Sequence, residues 1–267
     1  MNIAILLTIF NRKEITLKCL KQLYKLSKPQ NFDYTIFIND DGSTDGSYEA
    51  ILKNYPEVKI YRSSGNLYWN RGMYRIWDIA SKSCNYDGYL WLNDDTILYE
   101  SAFDDLYNNI EQTNCLSILV GPTNDRNNST SYSGYDHLEN RIVPNGKIQK
   151  CYYFNGNFVF IPGSVFKIIG NLEFYYRHSF GDWDYGIKAY KYGINSYVLP
   201  NFVGYCERHD KDKKVIYDKS LIERIKYIYS PLGQNPNELF LFMLRKNGIL
   251  LAVRSYISVI YKIFFKI

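Results

Sequence analysis

Three short acidic runs carry side chains able to do chemistry: Asn39-Asp40-Asp41, Asn93-Asp94-Asp95, and the pair Asp182 and Asp184. Carboxylates can hold a hard cation, accept from a ribose hydroxyl or a base N–H, or take a proton from an attacking hydroxyl. They also cap helices and build turns, which needs no ligand. Counting a calcium loop from Asp41 puts Ser43 and Asp45 at ligand positions and Gly46 at the turn. The twelfth position is Leu52 where a bidentate Glu is required, so a calcium loop is excluded. A helix N-cap and a nucleotide grip both remain open for this run.

The elements that must position these residues alternate. Strand signals at Ile3–Leu7, Tyr34–Ile38, Val58–Tyr61, Tyr89–Leu92 and Leu116–Val120 are separated by helical spacing over Lys13–Tyr24, Ser47–Lys53, Met73–Ala80 and Ala102–Ile110. Such alternation predicts right-handed βαβ units and a mainly parallel sheet, with ligands beyond the carboxyl ends of the strands. The runs after Leu7, Ile38, Tyr61 and Leu92 then leave one edge of one sheet. Beyond Pro122 the pattern changes, and residues 132–161 read as antiparallel strands with Pro144–Lys147 as a hairpin turn. Helices are expected over Ser164–Ile169 and Trp183–Tyr192.

Composition narrows the classes. The 267 residues suffice for one large α/β domain, and a net charge of +5 gives no nucleic-acid footprint. The 27 tyrosines offer flat faces with polar tips suited to sugars, and A/T-rich codon usage accounts for them equally well. Five cysteines without a CxxC pair point to reduced thiols and a cytoplasmic chain. The apolar start lacks a basic leader and a cleavage site, so it reads as a strand. No GxGxxG follows it, which argues against a dinucleotide oxidoreductase. The absence of glycine in "LLTIFNRKE" argues against a nucleotidyltransferase.

Six segments in order, "TIFNR", "INDDGSTDGS", "GNLYWNRGM", "LWLNDDTIL", "FNGNFVFIPGSVFKIIG" and "HSFGDWDYGIKAYKYG", resemble the family 2 glycosyltransferases, covering residues 3–210. The resemblance implies a GT-A fold: a Rossmann-like, mainly parallel sheet flanked by helices, with a smaller antiparallel acceptor-side part and a C-terminal helical tail. It implies an inverting, metal-assisted hexosyl transfer from a nucleotide-diphosphate sugar to a glycan or lipid-linked glycan, as in bacterial surface polysaccharide synthesis. The family's Asp-x-Asp metal motif falls on Asn93-Asp94-Asp95, so the first ligand position holds a neutral oxygen. Asp95, with Asn93 and His209, is then expected to hold Mn²⁺ or Mg²⁺. Asp182 is the implied general base. Asp184 is expected to anchor its helix N-terminus. Donor-side candidates are Thr8, Asn11, Arg12, Asp40, Asp41, Asn66, Trp69, Arg71 and Asp94, flanked by Asn70. Acceptor-side candidates are Asn155, Gly156, His178 and Trp183. An alternative is a sugar-nucleotide or glycan-binding subunit with impaired catalysis, for which Asn93 is the best support.

The boundaries read from this are a nucleotide-sugar half over 1–122, an acceptor and base half of the same domain over 123–215, and a helical tail over 216–267. The tail's last 32 residues are apolar and punctuated by Arg245, Lys246, Arg254, Lys262 and Lys266. No run in it is long enough to span a bilayer. Two readings apply: a helix in an anionic membrane surface at the inner face of the cell membrane, or a helix packed on the domain or on a second subunit as a homodimer.

Overall fold

The computed structural model describes residues 1–113, 115–208 and 220–265. Its first part alternates as the spacing demands: β1 (Asn2–Ile9), α1 (Lys13–Leu23), β2 (Asp33–Asp40), α2 (Ser47–Asn54), β3 (Lys59–Arg62), α3 (Tyr68–Ser83) and β4 (Gly88–Leu92). Next come β5 (Ile97–Leu98), α4 (Ala102–Gln112), β6 (Ile118–Val120), β7 (Thr123–Asn124), β8 (Thr130–Tyr132) and β9 (Gly134–Tyr135). Then follow β10 (Gln149–Cys151), β11 (Tyr153–Phe154), β12 (Phe158–Pro162), α5 (Gly163–Ile169), α6 (Gly181–Lys191), β13 (Ser196–Val198) and β14 (Gly204–Tyr205). The chain closes with α7 (Leu221–Tyr229), α8 (Pro236–Asn247) and α9 (Ile249–Phe264).

One eight-stranded sheet, ordered β10-β13-β6-β12-β4-β1-β2-β3, carries both halves of the chain. β4, β1, β2 and β3 run parallel, which aligns their carboxyl ends at Leu92, Ile9, Asp40 and Arg62. β12 enters antiparallel between β4 and β6, so the second half of the chain shares the sheet of the first. Successive β1 side chains alternate faces. Ile3, Ile5, Leu7 and Ile9 join a core with Leu20, Leu23, Ile51, Phe103 and Leu106, while Ala4 and Leu6 join Met73, Ile76, Trp77, Val165 and Tyr185. Both faces are buried, as a parallel sheet requires.

Two expectations need correction. Pro144–Lys147 does not close a hairpin. β10 pairs antiparallel with β13 in the large sheet, β9 pairs with β11, and the Gly146 N–H donates to the Pro200 carbonyl. The turn chemistry is present, but the flanking strands find better partners far along the sequence. Helix α3 starts at Tyr68, five positions before the expected Met73, and so takes in Trp69, Asn70 and Arg71. Its cap is not local: the Asp41 carboxylate accepts from the Leu67 and Tyr68 N–H groups at 2.9 Å each. A carboxylate at a helix start is favoured by the unsatisfied N–H groups there.

The tail folds as a layer against α6. Tyr176, Ile187, Ile228, Leu239, Phe242, Val259 and Ile263 form a third core with Phe180 and Trp183 against it. This is the packed reading of the tail for its inner face. Among the described residues no helix is long and apolar enough to cross a membrane. α8 stops and α9 starts at Gly248, whose φ of +85° and ψ of 178° lie where only glycine is comfortable. A Cβ there would meet nothing within 4 Å. The cost of Gly248→Ala is therefore conformational alone, about 1–3 kcal/mol. A urea unfolding curve should show a midpoint lowered by that energy divided by the m-value, and an unchanged midpoint would mean the break is not needed.

Candidate active site at the carboxyl edge of the sheet

The loop after β1 is tied to the loop after β4 by one guanidinium. Arg12 reaches Asp94 at 2.9 Å and Asp95 at 2.8 Å, bridging adjacent carboxylates from another strand end. Asp94 is buried and also accepts from the Thr16 hydroxyl at 2.8 Å. Burial pushes its carboxyl up to about 6, against the pull of Arg12 and Thr16. Asp95 is more open and also faces the Cys206 thiol at 3.7 Å. Burial, then the Asp95 charge, pushes that thiol up to about 12, so it stays protonated.

Asn93 connects this acidic corner to α3 and the loop before β12. Its amide oxygen accepts from the Trp69 indole N–H at 2.8 Å, and its backbone N–H donates to the Asn157 carbonyl. The Trp69 ring lies on Gly156, where an added Cβ would come within 2.5 Å of the indole and 3.3 Å of the Asp182 Cβ. The Gly156 N–H donates to the Asp182 carboxylate at 2.8 Å. Asp95, Asn93, Trp69, Gly156 and Asp182 thus form a continuous margin, with the absent side chain of Gly156 letting the indole close onto it. Asp182 is half-buried in the first turn of α6, and desolvation raises its carboxyl to about 6 despite N–H groups from Gly156 and Trp183.

Other expected donor residues serve mainly to knit loops. Asn11, in left-handed backbone, accepts from the Thr44 N–H and donates its own to Ser43. Thr8 meets Asn39, whose amide also binds Arg75. Asp40 is buried, accepting from the Ser43 N–H with Arg62 at 3.5 Å. Asn66 is exposed in left-handed backbone beside them.

Several expected roles are not what the geometry gives. Asp41 is consumed in capping α3 and in accepting from Ser63. Arg71 turns away from the acidic corner, donating to the Phe174 carbonyl at 2.9 Å and lying over the Phe174 ring. Asn70 donates to the carbonyls of Glu173 and Tyr176. Together they tie down the segment that leads into α6. Trp183 packs among Tyr135, Tyr153, Phe180 and Phe242. Asp184 is not a cap; it is buried, accepting from the Tyr176 hydroxyl and pairing with Arg245 of α8 at 2.6 Å. His178 lies edge-on to Tyr68 near the start of α3. Asn155 keeps its side-chain oxygen buried with no partner among the described residues, beside Gly156. His209 lies outside the described residues. Thr16, Arg62, Asn157 and Cys206 were not singled out by sequence, because each acts on a carboxylate or loop far along the chain.

A family profile, Glycosyl transferase family 2, matches residues 4–180. The chain belongs to this family. The family 2 chain has the GT-A fold, and membership implies a nucleotide-sugar donor and an acceptor. It is similar to S. aureus TarS, with 15% identity over 92% of this chain and 43% of that one at a TM-score of 0.58. Against TarS residues 1–349 the values are 16%, 97%, 81% and 0.59. GalNAc-T7, solved with UDP, GalNAc and Mn²⁺, gives 12% identity, 93% and 51% coverage, and a TM-score of 0.62. The family 2 chain thus spans about half or less of full TarS and of GalNAc-T7. At such identities these neighbours show the fold alone. No curated protein sequence matches significantly.

The family match ends at residue 180, two residues before Asp182, and the helix carrying Asp182 is fastened by the tail. Arg245 pairs with Asp184 and Glu173, Arg177 pairs with Glu238, and Phe180 stacks on Phe242. Removing Arg245 strands a buried carboxylate. Breaking such a pair costs about 3–5 kcal/mol when fully buried, and Arg245 is a quarter exposed, so Arg245→Met should cost about 2–3 kcal/mol. Adding Asp184→Asn should recover most of it in a double-mutant cycle by denaturant unfolding. Additive losses would mean the pair is not the fastening.

Proposed function

We propose that the chain is an inverting glycosyltransferase with Asp182 as its general base, moving a hexose from a nucleoside-diphosphate sugar to a hydroxyl of a glycan or lipid-linked glycan. Bacterial surface polysaccharide assembly is the process such an acceptor suits. The observation that carries the reading is the continuous margin from Asp95 through Asn93, Trp69 and Gly156 to Asp182. It puts a carboxylate that can meet a diphosphate and a carboxylate that can meet an alcohol on one edge.

In the step, the acceptor oxygen attacks the anomeric carbon, and its proton passes to the Asp182 carboxylate. The anomeric C–O bond breaks, and its electron pair leaves on the nucleoside diphosphate. One base and one displacement invert the configuration. The two N–H groups on Asp182 fix the carboxylate's direction. Desolvation brings its basicity nearer neutrality than an ordinary Asp, which favours proton transfer. Arg12 offers a positive charge beside the position a diphosphate would take.

The metal is tested on the donor set. Among the described residues no three His, Cys, Asp or Glu side chains converge on a point. Asp95 and Asn93 supply oxygen donors of the hard type. That suits Mn²⁺ or Mg²⁺ brought in with the diphosphate, since such ions are commonly held by one or two carboxylates plus substrate phosphates. When bound, the ion would neutralise charge on the leaving diphosphate.

Four outcomes test this. Asp182→Asn should lower turnover by about 10²–10⁴-fold while donor affinity stays near wild type; full turnover in this variant would end the base assignment. The acid limb of kcat/KM should fall near pH 6, where the raised carboxyl takes up its proton. The same shift has a stability sign. A carboxyl raised above its unfolded value of about 3.9 contributes stability below that pH, lost as pH rises through 6. At neutral pH the charge is therefore a cost, and Asp182→Asn should be more stable by on the order of 1 kcal/mol, allowing for partial exposure. Thermal unfolding at pH 7.5 reads this.

Arg12 gives the fourth test. Its guanidinium occupies Asp95, so Mn²⁺ alone should shift the melting temperature little, and Mn²⁺ with a nucleoside diphosphate should stabilise by about 2.7 kcal/mol at a hundred times Kd. Arg12→Met should increase the shift with Mn²⁺ alone. No shift in either protein under any of these additions would remove Asp95 as a metal residue.

A further inference from the structure

The outer face of the tail is apolar in an ordered way. α9 buries Ala252, Val259 and Ile263 against the layer beneath it. Directly opposite, Leu250, Val253, Ile257, Tyr261 and Phe264 recur every three or four residues, the repeat of one helix face. All five are exposed, Leu250 to 85% and Ile257 to 59%. Contiguous apolar surface of this kind on a folded chain marks a contact. α7, bound to α9 through Arg224 and the Ile263 carbonyl, adds exposed Ile222 and Lys226.

The charges choose among occupants. Arg254 and Lys262 stand exposed on one flank of the α9 stripe, and α9 contains no acidic residue. The one acid of α7, Glu223, is engaged with Ser220 in the helix cap. A second copy of α9 laid on this stripe would bring cations against cations with no carboxylate of its own to meet them. An anionic lipid surface meets both features at once, since apolar side chains enter the acyl boundary and the flanking bases meet the headgroups. With no helix among the described residues able to cross a bilayer, the contact is peripheral.

We propose that the α7–α9 face docks this chain onto an anionic lipid bilayer. That the acceptor is lipid-linked rests on the glycosyl-transfer reading; the docking surface does not. The layer carrying this face also holds α6 through Arg245 and Phe242, so docking orients the Asp182 end of the molecule relative to the surface.

Co-sedimentation of the full chain with vesicles of phosphatidylglycerol and phosphatidylcholine tests it. Binding should rise with the phosphatidylglycerol fraction and weaken with salt. Arg254→Glu with Lys262→Glu should lower partitioning by more than tenfold, at about fivefold per charge removed. Leu250→Asp with Ile257→Asp should abolish it. All four side chains are exposed, so folding should hold, checked by circular dichroism and melting temperature. Wild-type transfer to a water-soluble acceptor, or donor hydrolysis, should persist in both variants, so a failed activity assay and a failed docking assay are separable. Equal binding to neutral vesicles, no binding to either, or a wild-type dimer by light scattering that Leu250→Asp makes monomeric would each overturn the proposal.

Discussion

A parallel sheet gathers its strand ends on one edge, and in this chain that edge gathers negative charge. Asp40, Asp94 and Asp95 stand within a few residues of aligned strand ends, two of them buried. The Arg12 guanidinium across Asp94 and Asp95 is the contact that makes the arrangement tolerable. A buried carboxylate without a partner costs several kcal/mol, and two adjacent ones repel. The cation comes from the loop after β1, the acids from the loop after β4, and Thr16 of α1 holds the deeper acid from behind. The central strand pair is thereby fixed at the end where substrates of such sheets bind.

The order of elements and the edge they share were legible, because alternating periodicity is a local signal and the parallel topology follows from it. So was the pairing of acidic runs with their strand ends. What sequence could not show was which carboxylates are already occupied. Asp41 and Asp40 are adjacent in one motif, yet Asp41 caps a helix that begins at Tyr68, while Asp40 meets Arg62 across the sheet. The assignment turns on backbone N–H groups that only the folded chain brings near. Arg71 misled for a related reason. Read in a loop it faces the diphosphate, but with α3 extended to Tyr68 it lies on the helix side that meets Phe174.

The half of the chain after residue 122 was less legible than the half before it. Its strands are two to five residues long and pair over long sequence separations, so no local pattern announces them. Its main feature, the closing of Trp69 onto Gly156, depends on a missing side chain. The two members of the Asp182–Asp184 pair diverge as their spacing on a helix requires, one toward Gly156 and one toward Arg245. Their partners come from elements far apart in the chain, which no local pattern announces.

The fastening of α6 by α8 has a bearing on modularity. The segment matching the family stops at residue 180, and the residues that brace the helix just beyond it belong to the tail. Recombination that exchanges tails among such chains would therefore exchange the brace of α6 along with whatever surface the tail engages. Tail and α6 must drift together, so the end of the chain outside the family match carries a constraint set by the helix it holds.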